Sequence, residues 1–291
     1  MPTLDEIQIR DPFVLPDGGR FCLFGSTDPD IWRGPATGFD AYVSEDLVDW
    51  TGPIEAFRPD PAFWSHTQYW APEVHPYRDG YVMLATFTAE GRHRGTQALR
   101  ADRPEGPYAP WSDGPLTPSD WECLDGTLWV EDGVPYLVFC HEWKDVGDGE
   151  VHVLRLSDDL RSAVGEPTLL FRASEAPWVR PILGRPEFPE VYVTDGPFLH
   201  RMRDGRLVML WSSTGEGGYA LGVAESESGR VLGPWRQSPE ALWPRDGGHG
   251  MLFRDHADRL LLALHHPNAT PLERARFLEV EETPDGLALR A

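Results

Sequence analysis

One phrase recurs five times along the chain. It is a short strand opening on a polar residue beside Pro or Gly, then a turn, then a strongly apolar strand. The copies are IRDPFVLPDGGRFCLFGS (9–26), WAPEVHPYRDGYVMLATF (70–87), LDGTLWVEDGVPYLVFCHEW (124–143), TDGPFLHRMRDGRLVMLWSS (194–213) and GGHGMLFRDHADRLLLALHH (247–266). Such a repeat constrains the fold strongly, because one copy cannot bury its apolar strand alone and must stack on a neighbour. Four copies place Asp-Gly at the turn: Asp17-Gly18, Asp79-Gly80, Asp132-Gly133 and Asp204-Gly205. Asp-Gly between apolar runs signals a hairpin, since both turn positions favour φ > 0. The fifth copy has a longer loop from Asp255 to Asp258. More polar phrases follow each hairpin, among them AYVSEDLVDW and EVHVLRLSDDL, and read as a third and fourth strand.

Five units of four antiparallel strands predict an all-β chain, a single five-bladed β-propeller over residues 1–291 with a central funnel. Apolar residues at helical spacing are scarce, so the crossover helices of a parallel α/β fold are missing. A two-sheet sandwich would not account for five copies. The 29 glycines and 28 prolines fit a chain with many turns.

In a propeller the first strand of every blade lines the axis, so equivalent positions converge there. Aligning the copies by their polar residues gives Asp11, Glu73, Asp125, Asp195 and His249. Burying and crowding carboxylates is costly, and a scaffold would use small or apolar residues. Turn capping explains any one of these aspartates but not polar residues in all five copies. Glycoside hydrolysis is a chemistry that needs several carboxylates around a narrow pocket: one protonates the leaving oxygen and another activates water or attacks carbon. A third nearby raises the pKa of the acid by repulsion. A divalent metal site is the rival reading, and the two are compatible.

At these residues the sequence resembles glycoside hydrolase family 43, over nearly the whole chain from Arg10 to about Glu281. Arg10-Asp11-Pro12-Phe13 resembles the first-strand motif whose Asp is the general base. Trp70-Ala71-Pro72-Glu73-Val74 resembles the Trp-Ala-Pro-acidic motif of blade two. Leu124-Asp125-Gly126-Thr127-Leu128 resembles the strand whose Asp tunes and orients the acid. Val193-Thr194-Asp195-Gly196-Pro197 stands where the family has Thr-Glu-Gly-Pro, whose Glu is the general acid. Asp195 is one methylene shorter, about 1.5 Å, so Glu142 and Glu190 are alternative acids. Gly248-His249-Gly250 resembles an axial His motif, which implies His249 as a ligand or near neighbour of a structural calcium; no cofactor is needed for the chemistry. The resemblance implies an exo-acting, inverting glycosidase for terminal α-L-arabinofuranosyl, β-xylosyl, β-galactosyl or galactofuranosyl residues. The alternatives are a non-catalytic carbohydrate-binding propeller and a scaffold for a protein partner.

Of the twelve tryptophans, Trp64, Trp70 and Trp143 lie near funnel-side motifs, where they would stack on a sugar. Phe13, His66, Glu73 and Arg274 complete the expected substrate-binding set. Trp50, Trp111 and Trp235 follow the outer strands and read as inter-blade core. Lys+Arg 26 against Asp+Glu 47 gives a net charge of −21, which disfavours nucleic acid and anionic membranes as partners. A small oligosaccharide is the expected partner of a monomer or small homo-oligomer. Cys22, Cys123 and Cys140 sit among apolar neighbours and read as buried free thiols. The first residues carry neither a basic n-region nor an apolar h-region, so the expected location is cytoplasmic.

Overall fold

Each copy of the repeat folds as an antiparallel hairpin, and each hairpin is extended outward to a four-stranded sheet. The computed structural model describes residues 1–290. Blade one holds β1 (Arg10–Asp17), β2 (Arg20–Ser26), β3 (Phe39–Ser44) and β4 (Thr51–Phe57). Blade two holds β5 (Thr67–Tyr77), β6 (Gly80–Ala89), β7 (Arg92–Ala101) and the two-residue β8 (Ala109–Pro110). Blade three holds β9 (Cys123–Glu131), β10 (Val134–His141), β11 (Glu150–Leu156) and β12 (Ala163–Arg172), with the short helix α1 (Trp143–Val146) between β10 and β11. A separate hairpin, β13 (Ile182–Arg185) with β14 (Phe188–Val191), precedes blade four. Blade four holds β15 (Asp195–Arg201), β16 (Leu207–Gly215), β17 (Gly218–Ser226) and β18 (Trp235–Gln237). Blade five holds β19 (Gly248–Arg254), β20 (Leu260–His266), β21 (Arg274–Thr283) and β22 (Gly286–Leu289).

The first strands form a closed ring: β1 touches β5, β5 touches β9, β9 touches β15, β15 touches β19, and β19 touches β1. The chain is a five-bladed β-propeller. Blades one and five meet without sharing a strand. Instead Ile9 donates its N–H to Glu273 O at 3.3 Å, and the residues before β1 run along the seam. Arg274 Nε donates to Asp5 O at 2.7 Å there. Large side chains fill the spaces between blades. Trp50 and Trp211 are fully buried, and Phe39, Phe57, Tyr69 and Phe87 pack ring to ring between blades one and two. The three cysteines are buried and free.

Asp132-Gly133 makes the expected two-residue turn, with φ of 52° and 78°. In blade one the turn sits one residue later, on Gly18-Gly19 at 54° and 81°.

Every first strand breaks its ladder at the same place. Register slips between Arg10 and Phe13, Trp70 and Glu73, Asp195 and Phe198, and Gly248 and Met251, and in blade three opposite Val138 and Cys140. Inside each irregularity one residue is left-handed: Asp11 (φ 54°), Ala71 (46°), Asp125 (56°), Gly196 (53°) and His249 (49°). A bulge bends the strand and re-aims a side chain. The left-handed region costs most residues about 1–2 kcal/mol, so the four instances other than Gly196 need support from their surroundings.

That support comes from the neighbouring blade. The residues before the left-handed positions pair across the hairpin with Ser26, Thr86, Cys140, Ser212 and His265. Ser26 Oγ accepts the Ala71 N–H at 2.9 Å, Thr86 Oγ1 that of Asp125 at 2.9 Å, Ser212 Oγ that of His249 at 2.8 Å, and His265 Nδ1 that of Asp11 at 3.3 Å. Blade three offers Cys140, and a thiol is a weak acceptor. The Gly196 N–H bonds Asp125 Oδ2 instead, at 3.0 Å.

This ring corrects the expected alignment. The matched positions are Asp11, Ala71, Asp125, Gly196 and His249, with Asp195 one residue before its bulge position and Glu73 two residues after. The common mark is the following residue, which is Pro12, Pro72, Gly126, Pro197 or Gly250.

Candidate active site

The ring opens into a hollow of about 320 Å³ at one end of the axis, lined by Asp11, Asp125, Asp195 and His249 at its floor. Asp11 Oδ2 accepts from Ser26 Oγ at 2.7 Å. Its Oδ1 lies 3.2 Å from His249 Nδ1 and 3.5 Å from Arg10 Nε. Asp125 Oδ2 lies 3.6 Å from the same His249 nitrogen. Asp195 Oδ2 accepts from the Tyr219 hydroxyl at 3.0 Å. Gly196 sits against this group, because a Cβ there would lie 2.7 Å from the His249 ring.

Buried charge separates the three aspartates. Burial would raise Asp11, but His249 and Arg10 outweigh it and hold its carboxyl well below the usual carboxylate range. Burial raises Asp125, and the charges of Asp195 and Asp11 add to that while His249 offsets part. Burial likewise raises Asp195, although His249, Arg10 and the Tyr219 hydroxyl pull the other way. Burial would lower His249; Asp11 and Asp125 overcome it and raise it to about 9, which makes it an imidazolium. His265 is pushed down to about 3 by burial and by Arg10. It is therefore neutral, and its Nδ1 is free to accept the Asp11 N–H.

The wall is built by a second group. Arg94, 4% exposed, lies 4.1 Å above the Trp70 ring, donates to Gln68 Oε1 at 2.8 Å, and meets Glu142 Oε2 at 2.8 Å. Lys144 Nζ is 3.2 Å from the same Glu142 oxygen. Trp32 packs edge-on to Trp70, and Arg10 lies over Trp32 at 5.2 Å. A smaller hollow of about 240 Å³ adjoins the first and shares Arg10, Trp32, Asp195 and Tyr219 with it. Asp195 thus stands at the junction of two cavities.

One carboxylate held ionised, a carboxyl whose pKa is raised at a junction and an imidazolium between two aspartates can support hydrolysis by proton transfer at both ends of one bond. The model of glycosyl hydrolases family 43 matches residues 4–287. The chain belongs to this family. Among solved structures, the family 43 chain is similar to an endo-arabinase from Bacteroides thetaiotaomicron: 39% identity, 97% of both chains covered, TM-score 0.89. It shares its fold with an α-L-arabinofuranosidase from Lactobacillus brevis (18% identity, 97% and 93% covered, TM-score 0.78). It also shares it with an endo-1,4-β-xylanase from B. thetaiotaomicron (20%, 99% and 96% covered, TM-score 0.77). No curated protein matches the chain.

Of the residues expected in the site, the family 43 chain brings Asp11, Asp125, Asp195, Glu142, Trp70, Trp143 and His249 to one pocket. The others lie elsewhere. Glu190 is exposed on β14, paired with Leu183. Phe13 points into the core, edge-on to His75 and Phe198. Trp64 packs on the core and donates to Gln97 Oε1 at 2.6 Å. His66 is exposed in a loop, where its carbonyl accepts the Ala36 N–H. Glu73 is buried beyond the bulge and bonds His75 Nε2 at 3.1 Å. Arg274 closes the seam between blades one and five. Phe13 and Glu73 lie on first strands whose alternation turns them away from the funnel, whereas Trp64 and His66 lie in the loop before β5. Arg94, Gln68, Trp32 and Tyr219 were missed, because none lies in a first-strand motif.

Calcium takes six to eight oxygen ligands. The carboxylates nearest His249 are turned onto its Nδ1, so the floor presents no oxygen cage.

Ser26 serves both the fold and the site. Ser26→Ala removes the donor to the Asp11 carboxylate and leaves the Ala71 N–H unpaired. A loss of about 1–3 kcal/mol is expected, to be read as a lowered melting temperature in calorimetry.

Proposed function

We propose that this family 43 glycoside hydrolase cleaves α-L-arabinofuranosyl linkages in short oligosaccharides by inversion. Asp11 is the base that activates water, Asp195 the acid that protonates the leaving oxygen, and Asp125 the group that keeps the acid protonated. The observation that carries the reading is the opposite displacement of Asp11 and Asp195 around one pocket. Environments that push two carboxyls apart mark acid and base roles. The endo-arabinase similarity supports arabinosyl substrates. The deeper hollow would hold the sugar whose bond breaks, and the smaller one the leaving sugar, with Asp195 between them. We read the mode as exo, because two small hollows suit a short chain end.

Glu142 faces the pocket but is engaged by Arg94 and Lys144, which suits a wall or hydroxyl-binding role better than proton donation. Leaving groups tell the two apart. Asp195→Asn should lose activity steeply on an alkyl or sugar leaving group and little on a dinitrophenyl one, which needs no proton. Glu142→Gln should show no such dependence. The reverse pattern would move the acid to Glu142.

The test of the whole reading is a panel of aryl glycosides and arabino-, xylo- and galacto-oligosaccharides. Product size and the anomer first formed are followed by chromatography and NMR. Monosaccharide release from arabinosides with inverted configuration is expected. Larger products would make the enzyme endo-acting, retention would remove Asp11 from the base role, and binding without turnover would favour a carbohydrate-binding propeller. On the pH axis, Asp195 must be protonated, so kcat/KM falls as pH rises through its elevated value. Asp11 must be ionised, so the acidic limb lies below the ordinary carboxylate range, near 4.

A further inference from the structure

We infer that blade three carries a transition-metal site made of His141, Glu150 and His152, which takes a zinc-class divalent ion. The three sit behind the pocket wall, His141 at the end of β10 and the other two on β11. One ligand atom from each lies within 4.8 Å of the other two. Glu150 Oε2 is the hub, 2.8 Å from His152 Nε2 and 3.4 Å from His141 Nδ1. Tetrahedral zinc with bonds of about 2.0–2.2 Å separates its ligands by roughly 3.4 Å, so the His152 contact would open by about half an ångström.

Two further features suit an ion at this place. His141 Nε2 lies 3.1 Å from Asp145 Oδ2, which makes the carboxylate–histidine pair that orients a metal-bound imidazole. Asp145 is itself fixed, because its Oδ2 accepts the Glu122 N–H at 2.6 Å. Trp121 stacks on His141 at 4.2 Å and 9° and holds the ring plane. Two imidazoles and one carboxylate suit zinc, nickel or copper; calcium and magnesium want oxygen. The fourth position falls to water. Arg172, 47% exposed along its side chain, holds the other Glu150 oxygen at 2.9 Å; that leaves Oε2 for the ion.

The site lies next to Glu142 in the chain, so an ion there would pin the β10–α1–β11 corner that brings Glu142, Trp143 and Lys144 to the pocket. It is independent of the catalytic assignment.

The test is zinc added to the metal-stripped full chain, with calcium in parallel. Calorimetry should give one zinc per chain, and zinc at a hundred-fold excess over Kd should raise the melting temperature on the order of 5 °C; calcium should do neither. Glu150→Gln and His152→Gln keep the side-chain size and should abolish both effects. Diffraction at the zinc edge on soaked wild-type crystals should place one anomalous peak between the three residues, a readout that needs no variant. No zinc uptake by the wild type, uptake that survives both substitutions, or a peak elsewhere overturns the site.

Discussion

Asp11→Asn should lower kcat by about 10²–10⁴-fold, the range for loss of a positioned general base, while the propeller stays folded. Asparagine tolerates the left-handed region better than most residues, so φ 54° at this position is kept. Its Oδ1 can still accept from Ser26. What disappears is the proton acceptor and the anion facing His249 at 3.2 Å. Asp11→Ala separates the two effects, since it also forces alanine into the left-handed region and leaves the Ser26 hydroxyl without its carboxylate. The pair should match in kcat and differ in melting temperature. Steady-state kinetics on an aryl arabinofuranoside with a thermal scan of each variant reads both quantities. Activity of Asp11→Asn within a few-fold of wild type would remove Asp11 from the base role.

The propeller was legible because its evidence repeats. Five apolar second strands and their turns set blade number, and each hairpin in the structure lies within two or three residues of its sequence phrase. The register of the axial ring was less legible. Polar residues were aligned with one another, which drew Glu73 and Asp195 into equivalent places. The backbone aligns instead on the Pro or Gly that follows each left-handed residue, and that signal was present at Pro12, Pro72, Gly126, Pro197 and Gly250. Blade two shows why polarity misled: its ring position is Ala71, held by Ser26 without any side-chain chemistry of its own.

The pocket floor could be read from sequence and the wall could not. Arg94 sits mid-strand in β7, and nothing in its neighbours marks it. It becomes a site residue because Gln68 and Trp70 on β5 and Glu142 after β10 arrive from two other places in the chain. Tyr219, near the start of β17, reaches across β16 to Asp195 on β15. Such contacts depend on how strands and blades are placed side by side, and local pattern carries no record of that. Phe13, Trp64 and Arg274 show the converse: they neighbour site motifs in the chain, but Phe13 and Trp64 pack into the core and Arg274 serves the seam.

Asp125→Asn should move activity and stability in opposite directions. Asp125 occupies the one blade whose second strand offers a thiol, and its Oδ2 takes over the bond to the Gly196 N–H. An amide oxygen can keep that bond, and asparagine suits φ 56°. The charge is another matter. Asp125 is buried beside Asp11 and Asp195, and its carboxyl is held above the unfolded value. A raised folded-state pKa means that the folded chain keeps a proton the unfolded chain has released. Stability from this group is therefore complete below about pH 4 and declines as pH rises through the elevated value. Asparagine removes the decline. The variant should match wild type near pH 4 and exceed it at pH 8–9 by an amount on the order of 1–3 kcal/mol, seen in urea unfolding at the two pH values. Its kcat should fall by about 10–10³-fold, because the buried Asp125 and Asp195 repel each other when both are ionised and asparagine removes that repulsion from Asp195, and the alkaline limb of the pH profile should shift to lower pH. A variant less stable than wild type at pH 8–9 would mean that the ion pair with His249 outweighs the crowding of the three carboxyls, and Asp125 would then be a structural anion rather than the tuner of the acid.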